Sequence, residues 1–194
     1  MKIILASKSP RRRELMNLGR FEYEILVSDE EEVFEKTFSI EEQVKKVALN
    51  KGKIIFDNTQ GDRAIISADT IVVKNNEILG KPKDRQDAVK MLRKLQGGEH
   101  EVLTAIAVLI EKDGEYKEYN EVHKTKVIVK KMEDYEIIKY IDDTNPYDKA
   151  GAYAIQGEFA LFIEKIEGSY SNVVGLPIER VYEILKENEI LGII

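Results

Sequence analysis

The 194-residue chain has no cysteine and no tryptophan, and only two histidines and four prolines. Lack of cysteine excludes disulfides, thiolate catalysis and zinc–sulfur centres, and Glu99, His100 and His123 are too scattered for a zinc site of other ligands. No apolar run approaches the length needed to span a bilayer, and Met1-Lys2 leads straight into a strand pattern instead of a charged segment followed by a long apolar one. The expectation is a cytoplasmic chain, neither exported nor membrane-embedded by signals of its own. A G-x-x-x-x-G-K-[S/T] loop is also missing, which disfavours a P-loop NTPase. So is an excess of positive charge. The formal net charge of −6 argues against a broad surface for long nucleic acid, yet leaves room for one small anion held locally with a metal ion.

What is present is enough for a core: 43% of the residues are hydrophobic, and no repeat, low-complexity tract or linker interrupts a single domain over residues 1–194. The most informative stretch comes first. Lys2 to Ala6 reads as a short buried strand, and Ser7-Lys8-Ser9-Pro10-Arg11-Arg12-Arg13 as a basic, hydroxyl-rich turn. Ser9 suits an N-cap and Pro10 the first helical position. The unpaired N–H groups of such a helix favour an anion, and Ser7, Ser9, Arg11, Arg12 and Arg13 add hydroxyls and guanidinium forks. Phosphate is the natural guest; the plainer alternative is a capped helix with a solvated basic face.

Further along, Phe21 to Val27 alternates as a half-buried strand would. Asp29-Glu30-Glu31-Glu32 with Glu35 is either a solvated acidic loop or, through Glu31 or Glu32, a ligand for a divalent cation. Ser39-Ile40-Glu41-Glu42 is a capping box opening a helix to about Phe56, whose apolar side Lys51 interrupts. Lys51 is either a snorkelling stem or an ammonium aimed into a site.

Ala64 to Val73 is a buried-strand pattern broken by Asp69-Thr70. A carboxylate flanked by apolar strand must be ion-paired with a lysine, metal-bound or catalytic, because an unpaired buried charge is costly. Asn75-Asn76 marks a hairpin turn, and Gly80-Lys81-Pro82 closes the unit with a lysine that is either functional or a solvated turn residue. Asp84 caps a helix ended by Gly97-Gly98; strands at Glu101–Ile110 and Tyr116–Val129 flank an Asp113-Gly114 turn; a short helix carries Ile137, Ile138 and Ile141. After a polar loop over 142–151, strands are expected at Ala152–Ile155 and Phe159–Ile163, then a loop at Gly168–Asn172, a helix beginning at Pro177, and a docked apolar tail at 190–194. Gln156 either reads a base edge or is an exposed turn amide.

Several segments in this order resemble the Maf nucleotide pyrophosphatases: S-K-S-P-R-R at Ser7 to Arg12, S-A-D-T at Ser67 to Thr70, G-K-P at Gly80 to Pro82, P-Y-D-K-A-G-A-Y-A-I-Q-G at Pro146 to Gly157, and G-S-Y-S-N-V-V-G-L-P at Gly168 to Pro177. The Asp-Lys-Ala-Gly and Ile-Gln-Gly elements resemble the branch acting on dTTP and UTP. The resemblance implies hydrolysis between the α- and β-phosphates with a divalent ion, Mg²⁺ or Mn²⁺. It implies Asp69 as proton acceptor, and Arg11, Thr70 and Gln156 at positions tied to base choice. Ser7, Arg12, Lys51 and Lys81 match its phosphate-binding region, and Glu32 its acidic group there, with Asp69 and Glu32 as the metal-facing carboxylates. Arg13 extends the basic run and matches no role. The implied fold is mixed α/β, a central sheet with helices on its faces and two lobes around a cleft, commonly a homodimer. The rival reading is a nucleotide-binding regulator of septum formation without turnover.

Overall fold

The computed structural model describes residues 1–19, 22–27 and 38–191. Among these residues seven strands form one mixed sheet: β1 (Lys2–Leu5), β2 (Glu24–Ile25), β3 (Arg63–Lys74), β4 (Glu77–Leu79), β5 (Glu99–Lys112), β6 (Glu115–Val129) and β7 (Ile163–Glu167). Their order is β2-β1-β3-β5-β6-β7, with β4 hairpinned onto β3. β1 runs parallel to both neighbours, with Leu5 opposite Ile25 on one side and Ile66 on the other, and the β3–β4 and β6–β7 pairs are antiparallel. The helices are α1 (Pro10–Leu18), α2 (Ile40–Asp57), α3 (Arg85–Leu95), α4 (Asp134–Thr144), α5 (Tyr170–Val174) and α6 (Ile178–Glu187). The mixed α/β class expected from the sequence is therefore the one found.

Local chemistry explains the boundaries. Ser39 and Glu42 cap α2 reciprocally, Glu42 N to Ser39 Oγ at 3.3 Å and Ser39 N to Glu42 Oε2 at 2.9 Å, and Asp84 Oδ1 takes the Asp87 amide at 2.8 Å to start α3. Asn75 and Asn76 have φ of 52° and 60°, and Asp113 and Gly114 have 53° and 81°, the left-handed pairs that close tight hairpins.

The chain divides into two compact units. The first comprises Met1–Asp69, Thr104–His123 and Gly175–Ile194. Its core joins Ile4, Ala6, Ile55, Ile65 and Leu109, with Leu49 and Phe56 packed against them. Buried Arg63 ties the end of α2 to the sheet: it donates to Thr59 Oγ1 at 2.8 Å and to the Phe56 carbonyl at 3.0 Å, pairs with Glu111, and stacks 4.0 Å from the Phe56 ring. Arg180 clasps Glu121 through two 2.9 Å bonds and so fixes α6 to β6.

The second unit comprises Thr70–Leu103 and Lys124–Val174. Arg85 forks onto Asp142 and Arg93 onto Asp134, joining α3 to α4. Tyr140, Tyr153, Phe159 and Phe162 form an aromatic cluster, and buried His100 Nε2 meets the Tyr153 hydroxyl at 2.7 Å.

Several expected elements differ. Residues 152–155 and most of 159–163 are not strands but irregular backbone and 3₁₀ turns, at Ala150–Ala152 and Glu158–Phe162, with β7 beginning only at Ile163. Positive φ at Gly151, Ala152 and Gly157 breaks the extended conformation, and aromatic burial holds the segment instead. The run at 21–27 contributes only Glu24–Ile25 to a strand among the described residues, with Ile25 and Val27 38% and 39% exposed. The polar stretch 142–151 holds the end of α4 and two 3₁₀ turns, and the Gly168–Asn172 segment leads into α5. Pro177 sits at the cap of α6 rather than inside it. Residues 192–194 of the expected tail, and Glu31 and Glu32, lie outside the described residues.

Candidate active site

The first unit carries two pairs of polar side chains, one in the turn after β1 and one between α2 and β3. The chain turns sharply after Ala6, whose amide still bonds the Ile66 carbonyl at 2.8 Å. Ser7 is buried, and its Oγ accepts from the Ser9 amide and from Arg12 Nη1, both at 3.2 Å. Arg12 Nε donates to the Gly175 carbonyl at 2.8 Å. The guanidinium is thereby clamped on both sides, at the start of the helix, with Pro10 in the first turn. Ser9 takes the N-cap position but its hydroxyl makes no capping bond; the turn is braced through Ser7 instead. Arg11 is half-buried, and Arg13 reaches back toward the Lys8 carbonyl at 3.4 Å.

The second pair lies on the face where α2 covers β3. Strand alternation puts Ser67 and Asp69 on the same side, and both meet α2: Ser67 Oγ donates to the Ala48 carbonyl at 2.7 Å, and Asp69 Oδ1 takes Lys51 Nζ at 2.7 Å. The Asp69 side chain is 6% exposed and that of Lys51 22%. Lys51 is therefore no snorkelling stem, and Asp69 is ion-paired with a lysine. β3 also runs unbroken through Asp69 from Arg63 to Lys74, so the acid does not interrupt the strand. With Leu5 opposite Ile66, Asp69 stands three residues, roughly 10 Å, beyond the point where β1 gives way to the basic turn. Carboxyl ends of parallel strands are where open α/β sheets place ligands.

The second unit holds the other residues singled out by sequence. Thr70 is half-buried in β3, Lys81 is exposed on the Gly80–Pro82 turn, and Gln156 is half-buried just before Gly157. The Gly80 carbonyl accepts the Gly151 amide at 3.0 Å, which joins the Gly-Lys-Pro turn to the Asp-Lys-Ala-Gly loop. A Cβ on Gly151 would lie 3.0–3.1 Å from three Val72 side-chain atoms, so this approach requires glycine.

A family model described as Maf-like protein matches residues 2–188. The chain belongs to the Maf family. It is 50% identical over 187 residues to a dTTP/UTP pyrophosphatase of Thermoanaerobacter sp. (strain X514), covering 96% of both chains. It is also 50% identical to the dTTP/UTP pyrophosphatase of Caldanaerobacter subterraneus subsp. tengcongensis, covering 96% of this chain and 88% of that one. Among solved structures, a nucleoside-triphosphatase / dITP/XTP pyrophosphatase from Mycobacterium abscessus aligns over 97% of this chain and 95% of its own at TM-score 0.46 and 16% identity. That looser likeness adds nothing to the family match.

This Maf chain brings together Ser7 with Arg12 and Lys51 with Asp69, in one unit. Asp69 offers the hard oxygen that Mg²⁺ or Mn²⁺ takes, and Mg²⁺ needs only one or two carboxylates beside the oxygens of a bound phosphate. Among the described residues no group of three or more His, Cys, Asp or Glu could hold an ion by itself. Asp69 would hold such an ion through its carboxylate. Also among them, no helix is long and apolar enough to cross a membrane. Two features escape sequence reading. The Gly175 carbonyl that clamps Arg12 is a backbone group, visible only as part of the G-S-Y-S-N-V-V-G-L-P motif. His100 reads in the sequence only as a stray metal ligand, and its partner Tyr153 lies 53 residues away.

Proposed function

We propose that this Maf protein is a nucleoside triphosphate pyrophosphatase that hydrolyses dTTP and UTP to the monophosphate and pyrophosphate. The observation that carries the proposal is the Lys51–Asp69 pair at 2.7 Å, in the same unit as the Ser7–Arg12 turn, in a chain half identical to proteins named for that reaction. A purely anion-binding site gains little from a carboxylate unless that group holds a metal or activates water, and a hydrolase can use Asp69 for either.

In the proposed reaction Asp69 accepts a proton as the water oxygen bonds to the α-phosphorus. The bond from the α-phosphorus to the bridging oxygen breaks, and its electron pair leaves with pyrophosphate. Arg12 and Lys51 balance charge on the departing group, and the Ser7 turn positions it, so catalysis is mostly orientation and electrostatics. A divalent ion bound with the substrate, facing Asp69 and by motif match Glu32, would supply further neutralisation of phosphate charge. By motif match too, Lys81 serves the phosphates and Arg11, Thr70 and Gln156 select the base, while Ser9 adds a hydroxyl of the basic turn to the phosphate site.

Product analysis tests the reading. Purified protein with dTTP or UTP and Mg²⁺ or Mn²⁺ should yield dTMP or UMP and pyrophosphate. Release of orthophosphate and the diphosphate, or no release under either metal, overturns the reaction. Purine triphosphate turnover above that of dTTP overturns the specificity.

A further inference from the structure

Helix α2 contains Gly52 in its interior, next to Lys51, where glycine costs about 1 kcal/mol relative to alanine. Its reason lies on the sheet. A Cβ built on Gly52 would stand 2.7 Å from Ser67 Oγ and 3.3 Å from Leu109 Cδ1, against 3.4 Å or more for ordinary contacts. The hydroxyl in the way is fully buried and pinned at 2.7 Å to the Ala48 carbonyl, one turn back on the same helix. Gly52 and Ser67 therefore form a notch and peg that seat α2 close on β3. Two residues beyond Ser67 is Asp69, and one residue before Gly52 is Lys51.

We infer that Gly52 is a positioning residue: with Ser67 it sets the height of α2 above β3, and so the reach of Lys51 to Asp69. This rests on the proposed function in assigning that pair to the chemistry, but the geometry stands apart from it. Adding a methyl at Gly52 either displaces the helix by on the order of 0.7 Å, the shortfall from 2.7 to 3.4 Å, or breaks the Ser67–Ala48 bond. The pinned hydroxyl makes displacement the outcome, and a misplacement near 1 Å can cost roughly 10²-fold in rate. Replacing the Ser67 hydroxyl by hydrogen vacates the space that the new methyl needs.

The test compares the parent with Gly52→Ala, Ser67→Ala and the double variant, measuring kcat and KM for pyrophosphate release from dTTP and thermal melting. Gly52→Ala is expected to lose at least about 10-fold in kcat with little change in KM. Adding Ser67→Ala to it should restore kcat to within about 3-fold of Ser67→Ala alone, a non-additivity expected only of neighbours that share one space. A folded Gly52→Ala protein with parental kcat, or a double variant no better than Gly52→Ala, overturns the inference. Should Gly52→Ala not fold, the double variant against Ser67→Ala decides, and a further kcat loss on adding the methyl overturns it. A parent that releases no pyrophosphate sinks the proposed function instead. In that case a crystal structure of Gly52→Ala still reads the inference, supported by a broken Lys51–Asp69 hydrogen bond and contradicted by one kept at 2.7 Å.

Discussion

Lys51 Nζ meets Asp69 Oδ1 at 2.7 Å, a bond between side chains 18 residues apart in sequence that joins α2 to the middle of β3. The acid is nearly closed off from water, and the lysine keeps about a fifth of its side chain open to it. That asymmetry is what a site needs if an anionic ligand is to share the ammonium while the carboxylate stays fixed.

Removing the lysine should therefore destabilise the fold as well as the chemistry. Lys51→Met leaves Asp69 buried without the Lys51 ammonium and is expected to cost about 3 kcal/mol, the low end for a broken buried pair because Lys51 is partly solvated. Urea denaturation measures it, and adding Asp69→Asn to Lys51→Met should recover most of the loss. An unchanged midpoint in the single variant would show that the pair contributes nothing to stability.

Arg12 should act on substrate affinity. Lysine cannot reproduce both the Nε bond to Gly175 and the Nη1 bond to Ser7, so Arg12→Lys leaves a mobile point charge where a clamped fork stood. Loss of one or two charge-assisted hydrogen bonds corresponds to about a 10- to 100-fold fall in kcat/KM for dTTP. Steady-state kinetics with parental values would mean that the clamp is structural only.

Arg63 offers the converse case, stability without chemistry. It joins Thr59, Gly61, Phe56 and Glu111 in the first unit, and none of these is assigned to substrate. Arg63→Met should lower stability by about 3 kcal/mol, through loss of its bonds to backbone and carboxylate, while kcat per folded molecule stays parental. A fall in kcat of the folded fraction would contradict that separation.

His100 gives a pH signature. Burial, helped by the nearby Lys74 charge, pushes its pKa down to about 4 from 6.5. The folded chain keeps it neutral while the unfolded chain takes up a proton. Its contribution to stability is thus complete above about pH 6.5 and is lost as pH falls toward 4, by up to about 3 kcal/mol. Below 4 both states are protonated and the loss levels off. Denaturation midpoints between pH 7 and 4.5 should fall less steeply in His100→Gln than in the parent, and equal slopes would remove His100 from the account.

How far the sequence can be read depends on how local the cause is. The Ser39–Glu42 capping box, the Asp84 cap and the Asn75-Asn76 turn are legible because each is decided within three or four residues, and the structure contains all of them. Residues 152–155 and 159–163 read as strands because their apolar content suits one, but the conformation of this region is set by distant partners: Gly80 for the preceding Gly151, and His100 for Tyr153. Asp69 announces itself as a carboxylate that must be partnered, and Lys51 as a cation on an apolar face. That they partner each other follows only from the seating of α2 on β3, which Gly52 permits and no periodicity reveals.

Asp69→Asn tests the central claim most directly, because it keeps the side chain's shape and a hydrogen-bond acceptor while removing the group that takes the proton. With saturating dTTP and metal, and folding verified by an unchanged circular dichroism spectrum, kcat for pyrophosphate release should fall roughly 10²- to 10⁴-fold. A variant that turns over dTTP at the parental rate would contradict the account.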